Sequence, residues 1–269
     1  MKPVRPPAVA GSFYPADQQE LAQQVQHFLG ARRAQSTRRP RFLLVPHAGY
    51  LYSGQVAASA FKEVSGTSFE RVLLLGPSHR YYFEGAAATL DRVWETPLGQ
   101  VSISRPGYWA LSESKYHAAE HSLEVQLPFI QTVLPDARLM PFLLSGPTEL
   151  APQLAEALLP LMDERTLVVV SSDFNHVGPS FKFYAHEQGF GSAEEMDRAA
   201  IETLSAGDRA GFTGYLKRTE ATICGALPIL TAMCLMESLG LGPWTFKEYA
   251  NSAQVTAGPN QVGYAAFYA

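Results

Sequence analysis

Three apolar runs in this sequence end in side chains that can bind a metal or move a proton. "RFLLVPHAGY" places His47 just beyond one run, and "RVLLLGPSHR" places His79 beyond another. "TLVVVSSDFNHVG" places Asp173, Asn175 and His176 beyond a third. Cys224 stands in "TICGALPI", at the start of the most apolar helical stretch. Neutral imidazoles with a thiolate suit a borderline transition ion such as Fe(II), Zn(II) or Cu. Three protein donors would leave a coordination position open for water, substrate or dioxygen. A helix N-terminus is expected to lower a thiol's pKa and so favour the thiolate. "AEHSLEVQLP" adds Glu120, His121 and Glu124. His121 and Glu124 are three apart and can share a helix face. His121 is placed to act in acid–base chemistry or to orient a ligand imidazole. Each residue also has a plainer reading. His47 and His79 taken singly are compatible with structural histidines, Cys224 with a small buried hydrophobe, and Glu120 and His121 with helix capping. His27, His117 and His186 are read as structural or surface histidines. No compact HExxH signature occurs.

These groups need elements that hold them at one place. Residues 42–45 and 72–75, "RLMPFLLSG" and "TLVVVSSD" read as short buried strands. Between them lie helical patterns. "ADQQELAQQVQHFLG" carries Leu21, Val25, Phe28 and Leu29 on one face, with Asp17 placed to cap its start. "SGQVAASAFKEV" reads as a helix with Ser53 as its N-cap, and "HSLEVQLPFIQTVL" as a helix from Ser122, with Pro128 as an interior objection. "PTELAPQLAEALLPLM", residues 192–204 and residues 208–217 add further helices. "GAAATLDRVWETPLG" reads as an antiparallel or irregular excursion, and the alternation at Val262, Tyr264, Ala266 and Tyr268 as a final strand. Continuous apolar strands alternating with helices predict an α/β fold, with a central, mainly parallel or mixed sheet covered on both faces. No linker or fixed-period repeat interrupts the pattern, so the expectation is one domain over residues 1–269. In such a sheet His47, His79, Asp173 and His176 fall at strand carboxyl ends, where sites gather. Runs 42–45, 72–75 and 167–171 are expected to be neighbours, and Tyr50 and Tyr52 to form pocket wall.

Composition narrows the function classes. The 269 residues carry 21 Lys and Arg against 25 Asp and Glu, which argues against a general nucleic-acid binder. The densest basic stretch is "ARRAQSTRRPR", residues 31–41; it reads as a solvated connection or, alternatively, as an anion or partner site. The two cysteines, Cys224 and Cys234, would lie roughly 15 Å apart along a helix, too far for a disulfide. A reduced, cytoplasmic protein is expected, with no signal peptide and no membrane span. The sequence contains no GxGxxG fingerprint, no phosphate-binding P-loop and no GxSxG elbow.

"AGSFYPAD" (10–17), "PHAGYLYSG" (46–54), "LGPSHR" (75–80), "EHSLEVQLPF" (120–129), "VVSSDFNHVG" (169–178), "TICGALPI" (222–229) and "YANSAQ" (249–254) together resemble the Memo family, known in bacteria as AmmeMemoRadiSam system protein B. That family is similar in fold to the LigB-type class III extradiol dioxygenases, which hold Fe(II) with two histidines and a glutamate. The resemblance implies a LigB-like fold and a metal site of His47, His79 and Cys224, holding Fe(II) first and Cu or Zn next. It places His121, Asp173 and His176 beside the pocket as catalytic candidates. Thiolate in place of carboxylate softens the site and exposes a ligand to oxidation, so dioxygenase activity does not follow from the fold. The implied function is metal binding, with redox or oxygenase chemistry on an unknown substrate. The alternative is an adaptor whose pocket takes a peptide or small ligand, as animal members resemble phosphotyrosine-peptide binders. Bacterial members also imply a functional link to radical-SAM and AMMECR1-like proteins.

Overall fold

The computed structural model describes residues 3–105 and 110–269. The elements run β1 (Val4–Arg5), α1 (Gln18–Gly30), β2 (Phe42–Val45), α2 (Tyr50–Phe61), β3 (Arg71–Pro77), β4 (Gly85–Ala88), β5 (Val93–Thr96), β6 (Gly99–Ser102) and β7 (Leu111–Ser112). They continue with α3 (Lys115–Ala118), α4 (Leu127–Val133), β8 (Arg138–Ser145), α5 (Ala151–Leu158), β9 (Thr166–Ser171), β10 (His176–Val177), α6 (Ala193–Ser205), α7 (Arg209–Thr219), α8 (Ala226–Ser238), β11 (Thr245–Asn251) and β12 (Gln261–Tyr268).

The main sheet has the order β10-β12-β2-β9-β3-β8-β4-β7, with β11 also paired to β12. Its centre, β2-β9-β3-β8, is parallel, and β12 and β4 flank it antiparallel. The α/β architecture with a mixed sheet is therefore as expected, and the three runs that end in candidate ligands lie side by side. A small sheet, β1-β5-β6, forms where the opening strand β1 pairs with β5 of the excursion before β7.

Alternation along the central strands explains why their apolar runs are continuous. Phe42, Leu44, Leu73, Leu75, Val168 and Val170 point to one face, where α5, α6, α7 and α8 supply Leu154, Met196, Phe212 and Leu230. Leu43, Val45, Val72, Leu74, Leu167 and Val169 point to the other, against Leu21 and Val25 of α1, Val56 of α2 and Phe129 of α4. Each such fully buried side chain stabilises the fold by about 1.5–3 kcal/mol. Helix α8 is buried from Leu227 to Met236, which accounts for its near-uniform apolarity. No helix among the described residues is long and apolar enough to cross a membrane.

Several boundaries differ from the sequence expectation. Helix α2 begins at Tyr50, not after Ser53. The Tyr50 N–H donates to Phe13 O at 2.7 Å, and the Ser53 hydroxyl donates back to Ala48 O at 2.8 Å instead of capping. The segment from Ser122 is not one helix: a 3-10 turn at Glu124–Gln126 precedes α4, and Pro128 sits in the first turn of α4, where its missing N–H costs nothing. "PTELAPQLAEALLPLM" likewise splits into 3-10, α and 3-10 pieces around Pro152 and Pro160. Asp17 does cap α1, accepting from Gln19 N and Glu20 N at 2.9 Å each.

Candidate metal centre

His47 follows β2 by two residues and is 2% exposed. Its backbone N–H donates to Asp173 Oδ1 at 2.7 Å, and that of Ala48 to the same oxygen at 3.2 Å. Because β2 and β9 are parallel neighbours, the turn after one strand is tied to the turn after the other. The His47 ring meets Ser171 Oγ through Nδ1 at 2.9 Å. Ser171 already donates its only proton to Ser122 O at 2.6 Å and accepts from Gln126 Nε2 at 2.9 Å. Its hydroxyl can therefore only accept from the ring, so Nδ1 carries the proton and Nε2 is left with a bare lone pair. That Nε2 lies 3.2 Å from Cys224 Sγ.

Cys224 is held against the same strand end. The Asp173 N–H donates to its sulfur at 3.3 Å, and the Gly225 N–H donates to Ser172 Oγ at 2.9 Å. A Cβ on Gly225 would stand 2.4 Å from Ser172 Cβ and 2.9 Å from Ser171 O, so only glycine lets this turn approach β9. The expected lowering of the thiol pKa by a helix N-terminus is not what the surroundings produce. Burial, reinforced by Asp173, pushes the Cys224 thiol well up. Metal binding there would have to displace a proton.

His79 follows β3 and is oriented by Glu120. Its Nδ1 faces Glu120 Oε1 at 2.9 Å and its backbone N–H donates to Oε2 at 2.6 Å. The same carboxylate accepts from His121 N at 2.8 Å and Ser122 N at 3.0 Å. Burial works against the Glu120 charge, but the bonds from His79 and from these backbone N–H groups outweigh it and hold its pKa at about 2. An ionised carboxylate accepts only, so His79 Nδ1 is the donor and Nε2 is free for a metal. The close approach of the 120–123 segment depends on Gly76, where a Cβ would come within 2.7 Å of Leu123 Cδ2.

His47, His79 and His121 can each offer a ligand nitrogen, and these atoms all lie within 4.8 Å of one another. The ring centroids of His79 and His121 are 4.7 Å apart, and those of His47 and His79 5.2 Å. Burial comes first among the causes that depress the pKa of His47 and bring His121 to about 4. Both imidazoles are therefore neutral at physiological pH, the form a metal requires. The donor set of neutral imidazoles beside a thiol fits a borderline or soft transition ion.

A cavity of about 640 Å³ adjoins the cluster, lined among others by Phe13, Tyr52, His121, Asp173, His176 and Tyr264. Burial raises the Asp173 pKa to about 7 and lowers that of His176 to about 4. His176 Nε2 is buried with no hydrogen-bond partner. Tyr50 does not line the cavity: it is in the core and donates to Val125 O at 2.8 Å. Glu124 does not share the site either. It is fully buried with Arg5 at 2.6 Å and accepts from Tyr14 OH at 2.6 Å, pinning the opening segment to the turn before α4. Glu120 and the Ser171–Gln126 pair are the supports that sequence reasoning missed; the only signal was the position of Glu120 beside His121.

A family profile described as "Memo-like protein" matches residues 5–268. The chain belongs to the Memo family. Among relatives, a MEMO1 family protein of Methanopyrus kandleri is 35% identical over 97% of each chain. The memo-1 homolog of Caenorhabditis elegans is 34% identical, over 82% of this chain and 68% of its own. The crystal structure of an uncharacterized protein from Escherichia coli K12 shares the fold, with a TM-score of 0.52 at 13% identity over 85% of this chain and 99% of that one. Within this Memo-family chain the cluster of imidazoles could hold a metal ion.

Proposed function

We propose that the protein binds a transition metal ion, Fe(II) first and Cu or Zn next, and uses it for redox or oxygenase chemistry on a small molecule held in the adjoining cavity. The observation that carries this reading is the pair of imidazoles, His47 and His79, whose Nδ1 atoms are committed to Ser171 and Glu120 so that both Nε2 atoms keep an unprotonated lone pair, that of His47 facing Cys224 Sγ. Cys224, beside His47 Nε2, and His121, within the imidazole cluster, are the candidates for the third donor. A redox-active ion there would supply one-electron chemistry and a position for an exogenous oxygen ligand.

The protein's own groups have separate tasks. Phe13, Tyr52 and Tyr264 give the cavity an aromatic wall that seats an apolar body and excludes water. His176, neutral and with a free Nε2, can accept a proton from a substrate hydroxyl. Asp173, with its pKa near neutrality, can return one. Among the described residues the cavity lining contains no Lys or Arg. That weighs against phosphotyrosine-peptide capture, which relies on guanidinium clusters.

The test is anaerobic purification with metal analysis, followed by Fe(II) reconstitution and oxygen consumption against catechols and small reductants. Stoichiometric metal and substrate-dependent consumption are expected, and His176→Ala should keep the metal but lose roughly 10²–10⁴-fold in rate. No consumption above the metal-free control across the panel would favour a binding protein instead.

A further inference from the structure

The amino ends of the central strands carry a second cluster, and it takes in Arg39 of the basic stretch at residues 31–41. Arg71 opens β3 and Arg138 opens β8, and the two are paired in register on adjacent parallel strands. Their side chains therefore emerge on the same face about 5 Å apart, an arrangement that destabilises a sheet unless an opposite charge intervenes. Arg165 precedes β9, whose Thr166 is also in register with Arg71. Arg39, from the basic stretch, reaches the same place: its guanidinium lies 3.7 Å over the Phe69 ring and donates to Ser68 O.

These four guanidinium groups line a cavity of about 630 Å³, together with Ser68, Ser104 and the carboxylates of Glu70 and Asp136. Compensation is partial. Asp163, just outside, pairs with Arg71 and lies 3.6 Å from Arg165, and Glu70 pairs with Arg165 at 2.9 Å. Arg138 makes no ion pair among the described residues. The lining thus keeps a positive excess in a chain whose formal charge is −4. The metal cluster is remote, since the seven residues of β3 separate the two ends by roughly 20 Å at ~3.3 Å per residue.

We propose that this cavity binds a small diphosphate-bearing anion. Guanidinium-bearing residues from four separate segments line it, and several forks suit the many oxygens of a diphosphate better than one planar carboxylate. The space exceeds that of a lone phosphate and falls in the range of small-ligand sites. Phe69 is already covered by Arg39, so recognition rests on the charged oxygens and not on ring stacking.

The probe is inorganic pyrophosphate, titrated calorimetrically into the full chain at low salt, with orthophosphate and ADP as parallel arms. Saturable one-to-one pyrophosphate binding is expected, tighter than orthophosphate and weakened at high salt. ADP binding at least as tight as pyrophosphate would identify a nucleotide as the source of the diphosphate, and pyrophosphate alone a free anion. Arg138→Gln should weaken binding about tenfold or more. Arg39→Gln, on an exposed connection, should do the same without touching the sheet. Arg218→Gln on α7, outside the cavity, should leave binding unchanged. No saturable binding of any probe up to about 10 mM would overturn the proposal. So would equal losses for Arg138→Gln, Arg39→Gln and Arg218→Gln, because binding would then follow net charge alone.

Discussion

Glu120→Gln tests whether one carboxylate organises two imidazoles of the candidate metal centre. Glu120 Oε1 accepts from His79 Nδ1, His121 N and Ser122 N, and Oε2 accepts from His79 N. Glutamine keeps the shape but turns one of these oxygens into a donor. In its better orientation the new amide faces the His79 backbone N–H, so one charge-assisted bond is lost and two donors oppose each other in a buried place. The remaining bonds weaken because the acceptor is neutral. Together these effects should cost about 3 kcal/mol of stability. His79 also loses the anion that orients it as a ligand, so metal affinity should fall about 10–100-fold. The pH dependence should change in a defined direction. A carboxyl held at about 2 when folded, against an ordinary 4.5, contributes stability that is fully present above 4.5 and lost as pH falls through 2. The variant should lack that acid limb. Urea unfolding from pH 7 to pH 2, with Zn(II) competition against a chromogenic chelator, measures both quantities. An unchanged urea midpoint with affinity within threefold of the parent would refute the positioning role.

Ser171→Ala should leave His47 Nδ1 without its acceptor and Gln126 Nε2 with Pro46 O alone, costing about 1–3 kcal/mol in urea unfolding and reducing metal affinity; an unaltered affinity would mean that the tautomer is fixed elsewhere. Cys224→Ser should weaken Cu(I) and Zn(II) more than Mn(II) while leaving circular dichroism unchanged, because oxygen is the poorer soft donor. Should His121→Ala cost more affinity than Cys224→Ser in the same titration, His121 is the third ligand. For the metal-free protein, burial depresses the pKa values of His47, His117, His121 and His176 below the ordinary 6.5, so their stabilising contribution is present above 6.5 and is lost as pH falls toward about 4. The raised carboxyls of Asp173 and Asp197 oppose this in sign, leaving a net loss on the order of 3 kcal/mol between pH 7 and pH 5; a flat urea midpoint over that range would show that these imidazoles are not neutral in the fold.

The strands were legible because burial on both faces leaves a continuous apolar run, as in 42–45 and 72–75. The strand-end histidines were legible for a related reason: polar groups immediately after such runs have little freedom to leave the carboxyl edge. Strand β11 escaped notice because "TFKEYAN" is only half-buried along most of its length and shows no alternation. Ser53 looked like a cap because serine is a favoured N-cap residue, yet tertiary contact decided otherwise: the Phe13 carbonyl takes the Tyr50 N–H and starts α2 three residues earlier. Glu120 and Glu124 were indistinguishable as letters. Which one serves the candidate metal centre follows from Gly76 admitting the 120–123 segment against β3, and from Arg5 and Tyr14 claiming Glu124.

The same strands that lead to imidazoles or a carboxylate at one end carry guanidinium groups at the other. Strand β2 lies between Arg41 and His47, β3 begins at Arg71 and leads to His79, and β9 lies between Arg165 and Asp173. Burying the apolar middle of each strand forces its polar residues outward to the two edges of the sheet. What separates them is chemistry of position. At the carboxyl edge, crossing turns close over the side chains, so imidazoles lose their protons and a thiol keeps its own. At the amino edge the guanidinium groups stay partly exposed, and Arg71 and Arg165 are paired with Asp163 and Glu70. A separation of roughly 20 Å exceeds the Debye length of ~8 Å at physiological salt. The charge state at one edge is therefore nearly independent of the other, and the fold can hold a neutral donor cluster and a cationic one on the same strands.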